Sequence, residues 1–231
     1  MHHPPRTYVI GDIHGARKAL NQCLDKAAFS FETDTLICLG DVCDGWPEVK
    51  ESVDTLLSVK NLVYVMGNHD YWALEWMLRG DAPDIWSSQG GFATMHSYRE
   101  GIPEEHLNLF NHARYYHEDS LNNLYVHGGY EPSLPIRDQS EHDMIWDRSL
   151  VHRALQADGS HVNLTPYNTV FVGHTPTINM GSIHPVRAAG ICMLDTGAGW
   201  PGGVLTIMEV ETGAFYQSEP VENLYPGAPS R

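Results

Sequence analysis

The stretch "TLICLGDVCDGWP", Thr35 to Pro47, is an apolar run that stops abruptly at Gly40 and Asp41. Such a run, closed by a glycine turn, predicts a strand buried on both faces, Thr35 to Asp41, followed by a loop. The loop carries a second carboxylate, Asp44, and then Gly45 and Trp46. The same grammar occurs on either side. "TYVIGD" (Thr7 to Asp12) precedes a helical pattern over roughly Ala16 to Ala28, and "LVYVMGNHD" (Leu62 to Asp70) precedes one near Tyr71 to Arg79. A helix over roughly Val49 to Val59 follows the central strand. Strands alternating with helices predict βαβ units and a largely parallel sheet.

The second half has a different texture. "NNLYVHGGY", "NTVFVGHT", "AAGICMLDTGAGW" and "GGVLTIMEVE" predict short strands, and "PEEHLNLFNHARYYHE" predicts the last good helix before them. A second sheet packed on the first is expected. "RGDAPDIWSSQGGFATMHSYREG" lacks clear periodicity and is expected to be a loop and short-helix excursion over one edge. The Pro- and Gly-rich tail after Glu219 is expected to wrap or fray.

Length and composition set outer limits. A chain of 231 residues fits one large domain, and no linker, repeat or low-complexity segment divides it, so residues 1–231 are expected to act as a single domain. The net charge of −15 argues against tight binding to nucleic acid or an anionic membrane, since both rely on Lys and Arg contacts to phosphate. No run approaches a membrane span, and "MHHPPRTYVIGD" lacks the apolar core of a signal peptide. Cys23, Cys38, Cys43 and Cys192 form no CxxC pair and suggest no disulfide framework, which favours a cytoplasmic location, and Cys38 and Cys192, set in apolar runs, read as buried free thiols. The 14 histidines equal Lys and Arg together, which makes a metal site worth seeking, although His2 and His3 carry no weight in that.

Functional loops of α/β sheets gather at the carboxyl ends of strands. Here five strand ends each carry Asp, Asn or His beside Gly. They are "GDIHG" with Asp12 and His14, "GDVCD" with Asp41 and Asp44, "GNHD" with Asn68 and His69, "VHGG" with His127, and "VGHT" with His174. Carboxylate, imidazole and amide donors without thiolate suit Mn²⁺, Fe or Zn²⁺. The donors outnumber the need of one ion, and a carboxylate shared between two would use them. For a single His or Asp the ordinary structural role, such as an Asx turn at Asp44, remains open.

In this order the five motifs resemble the metallophosphoesterase superfamily. Within it they resemble the phosphoprotein phosphatase (PPP) family, and its compact bacterial and phage serine/threonine phosphatases above all, a group related to the symmetrical diadenosine tetraphosphatases. "W..QGG..T..SY" (Trp86 to Tyr98) and "LDTGAG…GGVLTIMEV" are similar to the bacterial members as well. The resemblance implies a four-layer αββα sandwich of two mixed sheets flanked by helices. It implies two divalent ions, most readily Mn²⁺, with Asp12, His14 and Asp41 at the first and Asp41, Asn68, His127 and His174 at the second. It implies His69 as general acid with Asp44 orienting it, and Arg148, in "MIWDRSL", as a phosphate-binding arginine. A metal-bridging hydroxide would attack phosphorus in line while His69 protonates the leaving oxygen. The expected substrate is a phosphorylated protein or a small phosphoester, turned over by a monomer or small oligomer.

One position breaks the pattern. PPP members place an arginine where this chain has Gly45, and Trp46 replaces the following glycine. Glycine cannot make the bidentate phosphate contact of a guanidinium. Three expectations follow: a phosphomonoesterase with weakened phosphate binding; an enzyme for a diester or nucleotide, with Trp46 as a flat apolar surface; or a metal-binding module without turnover. The intact ligand set with His69 and Asp44 disfavours the third. Arg99 and Arg137 are weaker candidates to supply the absent charge.

Overall fold

The computed structural model describes residues 4–157 and 163–228. His2 and His3 lie outside them. The three strands expected in the first half form, each shorter than its apolar run: β1 (Thr7–Ile10), β2 (Thr35–Cys38) and β3 (Asn61–Tyr64). They pair in parallel, with Ile10 opposite Cys38 and Cys38 opposite Tyr64, so their carboxyl ends align. Helices α1 (Arg17–Lys26) and α2 (Val49–Leu57) follow β1 and β2.

The third strand corrects the expectation most. It stops at Tyr64, and Asn68–Arg79 is one helix, α3. Asp70 causes this, because its Oδ2 accepts the Gly67 N–H at 3.2 Å, satisfying a donor that the first helical turn leaves unpaired. Asn68 and His69 therefore project from a helix start rather than a strand.

The segment expected as an excursion over an edge forms α4 (Asp84–Trp86), a π-type turn and α5 (Phe92–Ser97). Trp86 is fully buried, belongs to the helix-side core of the first sheet and packs on Trp76 at 5.9 Å. Helix α6 (Glu104–Asn111) is present as expected, and it is the last helix before the second run of strands begins at Tyr116. Helices α7 (Glu141–Trp146) and α8 (Ser149–Ala157) follow it. Short amphipathic segments are hard to read from pattern, and α8 buries only Leu150, Val151 and Ala154.

The first sheet has the order β10-β9-β1-β2-β3, where β9 is Thr206–Glu209 and β10 is Phe215–Gln217. The run "GGVLTIMEVE" thus belongs to the first sheet and not the second. Its alternation serves either sheet equally, and the antiparallel pairing of Tyr8 with Glu209 through Ile10 with Ile207 decides. The second sheet has the order β4-β5-β6-β8-β7, from Tyr116–Glu118, Asn123–Val126, Thr169–Val172, Val186–Ala188 and Ile191–Met193 for β4 to β8. β5, β6 and β8 run parallel, with antiparallel edges.

Alternation along each strand builds the layers. Val9, Ile37, Tyr125, Phe171, Cys192 and Met208 face one another between the sheets, with Tyr125 stacked on Phe171 at 5.0 Å. Their neighbours Tyr8, Ile10, Leu36 and Cys38 face the helices of the first sheet, while Leu124, Val126, Val170 and Val172 face α7 and α8. Two mixed five-stranded sheets flanked by helices result. The tail wraps: after α9 (Val221–Leu224), Tyr225 stacks on Trp46 at 5.4 Å. All four cysteines are buried free thiols.

Candidate functional site

The five glycine-punctuated ends converge above the aligned strands. Asp12 and His14 follow β1, Asp41 and Asp44 follow β2, Asn68 and His69 open α3, and His127 and His174 follow β5 and β6. All eight are buried. The backbone is held in an uncommon conformation to achieve this. Seven non-glycine residues have positive φ among those described, and four are His14, Asp41, Asp44 and His174. Such strain gathers where the surrounding structure over-determines the chain, commonly at functional sites. Close approach also needs glycine at Gly67, where a Cβ would lie 2.1 Å from Asp41 Oδ1.

Asp41 is the junction. Asp12, His14 and Asp41 form one group that could hold a metal ion, and Asp41, His127 and His174 form another. Asp41 Oδ2 lies 3.4 Å from His127 Nε2 and 3.9 Å from His14 Nε2, and it is buried without a hydrogen bond. A buried carboxylate oxygen left so is costly, and a cation at that point would remove the cost. Asn68 Oδ1 is 3.0 Å from His127 Nε2, beside the second group.

The histidines are oriented from behind. His14 Nδ1–H donates to Cys43 O at 3.0 Å and His127 Nδ1–H to Leu39 O at 2.7 Å, which turns each Nε2 to the cluster. His174 Nε2–H donates to Trp146 O at 3.2 Å, which leaves Nδ1 for the cluster. Backbone carbonyls that fix the tautomer in this way are usual behind metal-binding imidazoles.

The electrostatics ask for positive charge. Burial, then Asp195, then Asp41 push Asp12 well above the ordinary carboxylate range. Burial would raise Asp41 too, but His127, His69 and His14 outweigh it and hold it well below. Burial opposes charge on His127, yet Asp41 and Asp12 raise it to about 9. His174 is pushed down to about 2 by burial, His127 and Arg148. A cluster that draws a proton onto one buried imidazole is one that divalent cations suit.

His69 and Asp44 form a separate unit beside it. His69 Nδ1–H donates to Asp44 Oδ2 at 2.5 Å, and both side chains are fully buried. Trp86 Nε1–H donates to the same oxygen at 2.7 Å, and Thr94 Oγ1–H to Oδ1 at 2.6 Å. Pattern reading missed Trp86 and Thr94 as site residues, although both stand in "W..QGG..T". It also missed Asp70, whose carboxylate accepts the N–H groups of Asp41, Val42, Cys43 and Gly67 and the Tyr64 hydroxyl. Burial, then Asp41, raise its pKa to about 6. Its place as third residue of α3 was the available signal. Asp195, the negative neighbour of Asp12, was likewise given no role.

Arg148 precedes α8, and its Nη2 donates to His174 O at 3.4 Å. Gly45 has φ of 81° and borders a groove of about 800 Å³ with Phe92, Met95 and Arg99. Trp46 does not offer the flat surface expected of it. It is 1% exposed, donates Nε1–H to Ala198 O at 2.7 Å, and is covered by Tyr225. Phe92, 68% exposed, is the aromatic face beside Gly45. Arg137 is exposed and lies by Asp138.

A family model described as calcineurin-like phosphoesterase matches residues 5–199. Serine/threonine-protein phosphatase 2 of Escherichia coli (strain K12) is 28% identical over 173 residues, 72% of this chain and 78% of that protein. A symmetrical bis(5'-nucleosyl)-tetraphosphatase of Coxiella burnetii (strain RSA 331 / Henzerling II) is 29% identical over 146 residues, 62% of this chain; the match spans about half of that protein, 48%. A solved structure described as a candidate diadenosine tetraphosphatase superposes with a TM-score of 0.71 at 20% identity, covering 94% of both chains. At that identity the likeness concerns the fold.

Proposed function

The chain belongs to the calcineurin-like phosphoesterases, and from that premise we propose that it is a two-metal phosphoester hydrolase acting on phosphorylated serine or threonine or on small phosphomonoesters. The observation that carries the reading is Asp41, shared by two buried donor groups and left with an oxygen that no hydrogen bond satisfies. Asp12, His14 and Asp41 would hold one ion, and Asp41, Asn68, His127 and His174 the other. Oxygen and nitrogen donors without thiolate favour Mn²⁺ as the working ion, with Fe or Zn²⁺ next. When bound, such ions supply an acidified water and offset charge on the phosphoryl oxygens.

The protein's own residues do the rest. His69, kept cationic and oriented by Asp44, holds the proton for the departing oxygen at Nε2. Trp86 and Thr94 hold Asp44 so that its charge faces His69. Arg148 binds phosphoryl oxygens beside His174. We further propose that residues 1–231 act as one domain, and that four buried thiols and acidic charge fit a cytoplasmic protein that binds neither nucleic acid nor membrane. Among the described residues, no helix is long and apolar enough to cross a membrane.

The test is hydrolysis of p-nitrophenyl phosphate and a phosphoserine peptide with Mn²⁺ added. Turnover that EDTA abolishes is expected. No turnover of either by a folded, metal-loaded sample would overturn the reading. A second reading, hydrolysis of a symmetrical dinucleoside tetraphosphate or another nucleotide ester, is favoured by a cavity beside His174 that no described Asp or Glu lines.

A further inference from the structure

A cavity of about 370 Å³ opens beside His174, lined by Arg148, His152, Thr175, Asn179 and Trp200 among others. It is at the small end of the range for small-molecule sites, about 300–1,000 Å³. Acids outnumber Lys and Arg by 29 to 14 in this chain, yet no described residue lining the cavity is Asp or Glu. Arg148 and His152 stand four residues apart, joined by a hydrogen bond from His152 N–H to Arg148 O at 3.0 Å, so both side chains leave the same side of the helix start. Thr175 is 8% exposed, and its buried Oγ1 makes no hydrogen bond. A buried hydroxyl so placed is a donor waiting for an acceptor. Asn179 and Trp200 also line the cavity, and the Asn179 amide carries two further N–H groups.

Where the phosphatase pattern sets an arginine, this chain has Gly45, with Arg99 on the groove beside it, and a separate group of donors, Arg148, His152, Thr175 and Asn179, lines the cavity beside His174. One phosphate at the metal ligands would not use them all.

We propose that this cavity holds a second phosphate of the substrate, joined to the scissile one as in a nucleoside diphosphate or longer oligophosphate. His152, Thr175 and Asn179 are its specificity-determining residues, beyond Arg148. The inference rests on the phosphoesterase reading above.

ADP and AMP separate the two ideas. They share a nucleoside, but only ADP carries a second phosphate to place in the cavity while its terminal phosphate is cleaved by water to AMP and orthophosphate. The full chain is assayed with saturating Mn²⁺, as wild type, His152→Ala and the near-isosteric Thr175→Val. The ratio of kcat/KM for ADP to that for AMP is expected to fall about tenfold or more in each variant, the effect of losing one hydrogen bond to a charged group. An unchanged ratio in both variants overturns the proposal. So does an unchanged ADP ratio with a selective loss on a phosphoserine peptide bearing a following Glu, which would assign the cavity to acidic peptides. If neither nucleotide is hydrolysed by the wild type, turnover of p-nitrophenyl phosphate judges the phosphoesterase reading separately, and calorimetry with Mn²⁺–ADP decides the cavity by itself. Weaker binding by His152→Ala at equal AMP affinity supports it, and equal ADP binding overturns it.

Discussion

Asp44→Asn is the perturbation that most cleanly separates charge from geometry at this site. Asp44 Oδ2 takes N–H groups from both His69 and Trp86, and Oδ1 takes the Thr94 hydroxyl. An asparagine can keep its carbonyl oxygen toward His69 and Trp86. Its NH₂ then faces Thr94 Oγ1, which has acceptor capacity once its proton turns away. The shape survives and the negative charge is lost. At about 4 Å and an effective dielectric of about 20, one unit charge beside another is worth about 4 kcal/mol. Removing it disfavours the cationic His69 by that amount, or about three decades in rate where the proton is needed. General-acid catalysis spans about 10²–10⁴-fold, so the size is consistent. The assay is kcat at saturating Mn²⁺ on a phosphoserine peptide, a poor leaving group, against p-nitrophenyl phosphate, a good one. A loss of about 10²–10³-fold on the peptide and under about tenfold on the aryl ester is expected, with an unchanged melting temperature to within a few degrees. Equal losses on both substrates, or no loss on the peptide, would refute the role given to Asp44 and leave it a loop strut.

Three further outcomes follow from the same geometry. Asp70→Ala strands four backbone N–H groups and the Tyr64 hydroxyl in the core, so urea unfolding is expected to show a loss above about 4 kcal/mol, and a loss under about 1 kcal/mol would contradict the network. Gly199→Ala puts a Cβ 2.6 Å from His14 Cδ2, and Mn²⁺ titration is expected to show first-ion affinity reduced about tenfold or more; unchanged affinity would place His14 outside the site. Gly45→Arg is expected to lower KM for a phosphomonoester while costing about 1–2 kcal/mol of stability, because φ of 81° is left-handed; a raised KM in the folded variant would mean that no phosphate lies within reach.

How far the sequence carried can be judged residue by residue. The β1, β2 and β3 cores were legible because they are apolar on both faces and stop at glycines, and that punctuation placed Asp12, Asp41 and Asn68 at one end of the sheet. The convergence of His127 and His174 on Asp41 comes from the second sheet packing on the first, which local pattern does not encode. Trp86 and Thr94 reach Asp44 from 42 and 50 residues away, through a segment whose weak periodicity suggested a loop and short-helix excursion and no partner in the site. Trp46 looked like a ligand surface because its partners, Ala198 and Tyr225, are more than 150 residues distant. β9 was assigned to the wrong sheet for a related reason, since alternation names a buried strand without naming its neighbour.

Metal stoichiometry against activity tests the central claim most directly. Metal-free protein is titrated with Mn²⁺, and bound metal per chain, the electron paramagnetic resonance spectrum and p-nitrophenyl phosphate turnover are followed together in wild type and Asp41→Asn. Two ions per chain are expected in the wild type, with a spin-coupled spectrum from the shared carboxylate and activity that appears as the second ion binds. Asp41→Asn is expected to lose the coupling and the turnover together. Full activity at one ion per chain, or in EDTA, would contradict a two-metal site joined at Asp41.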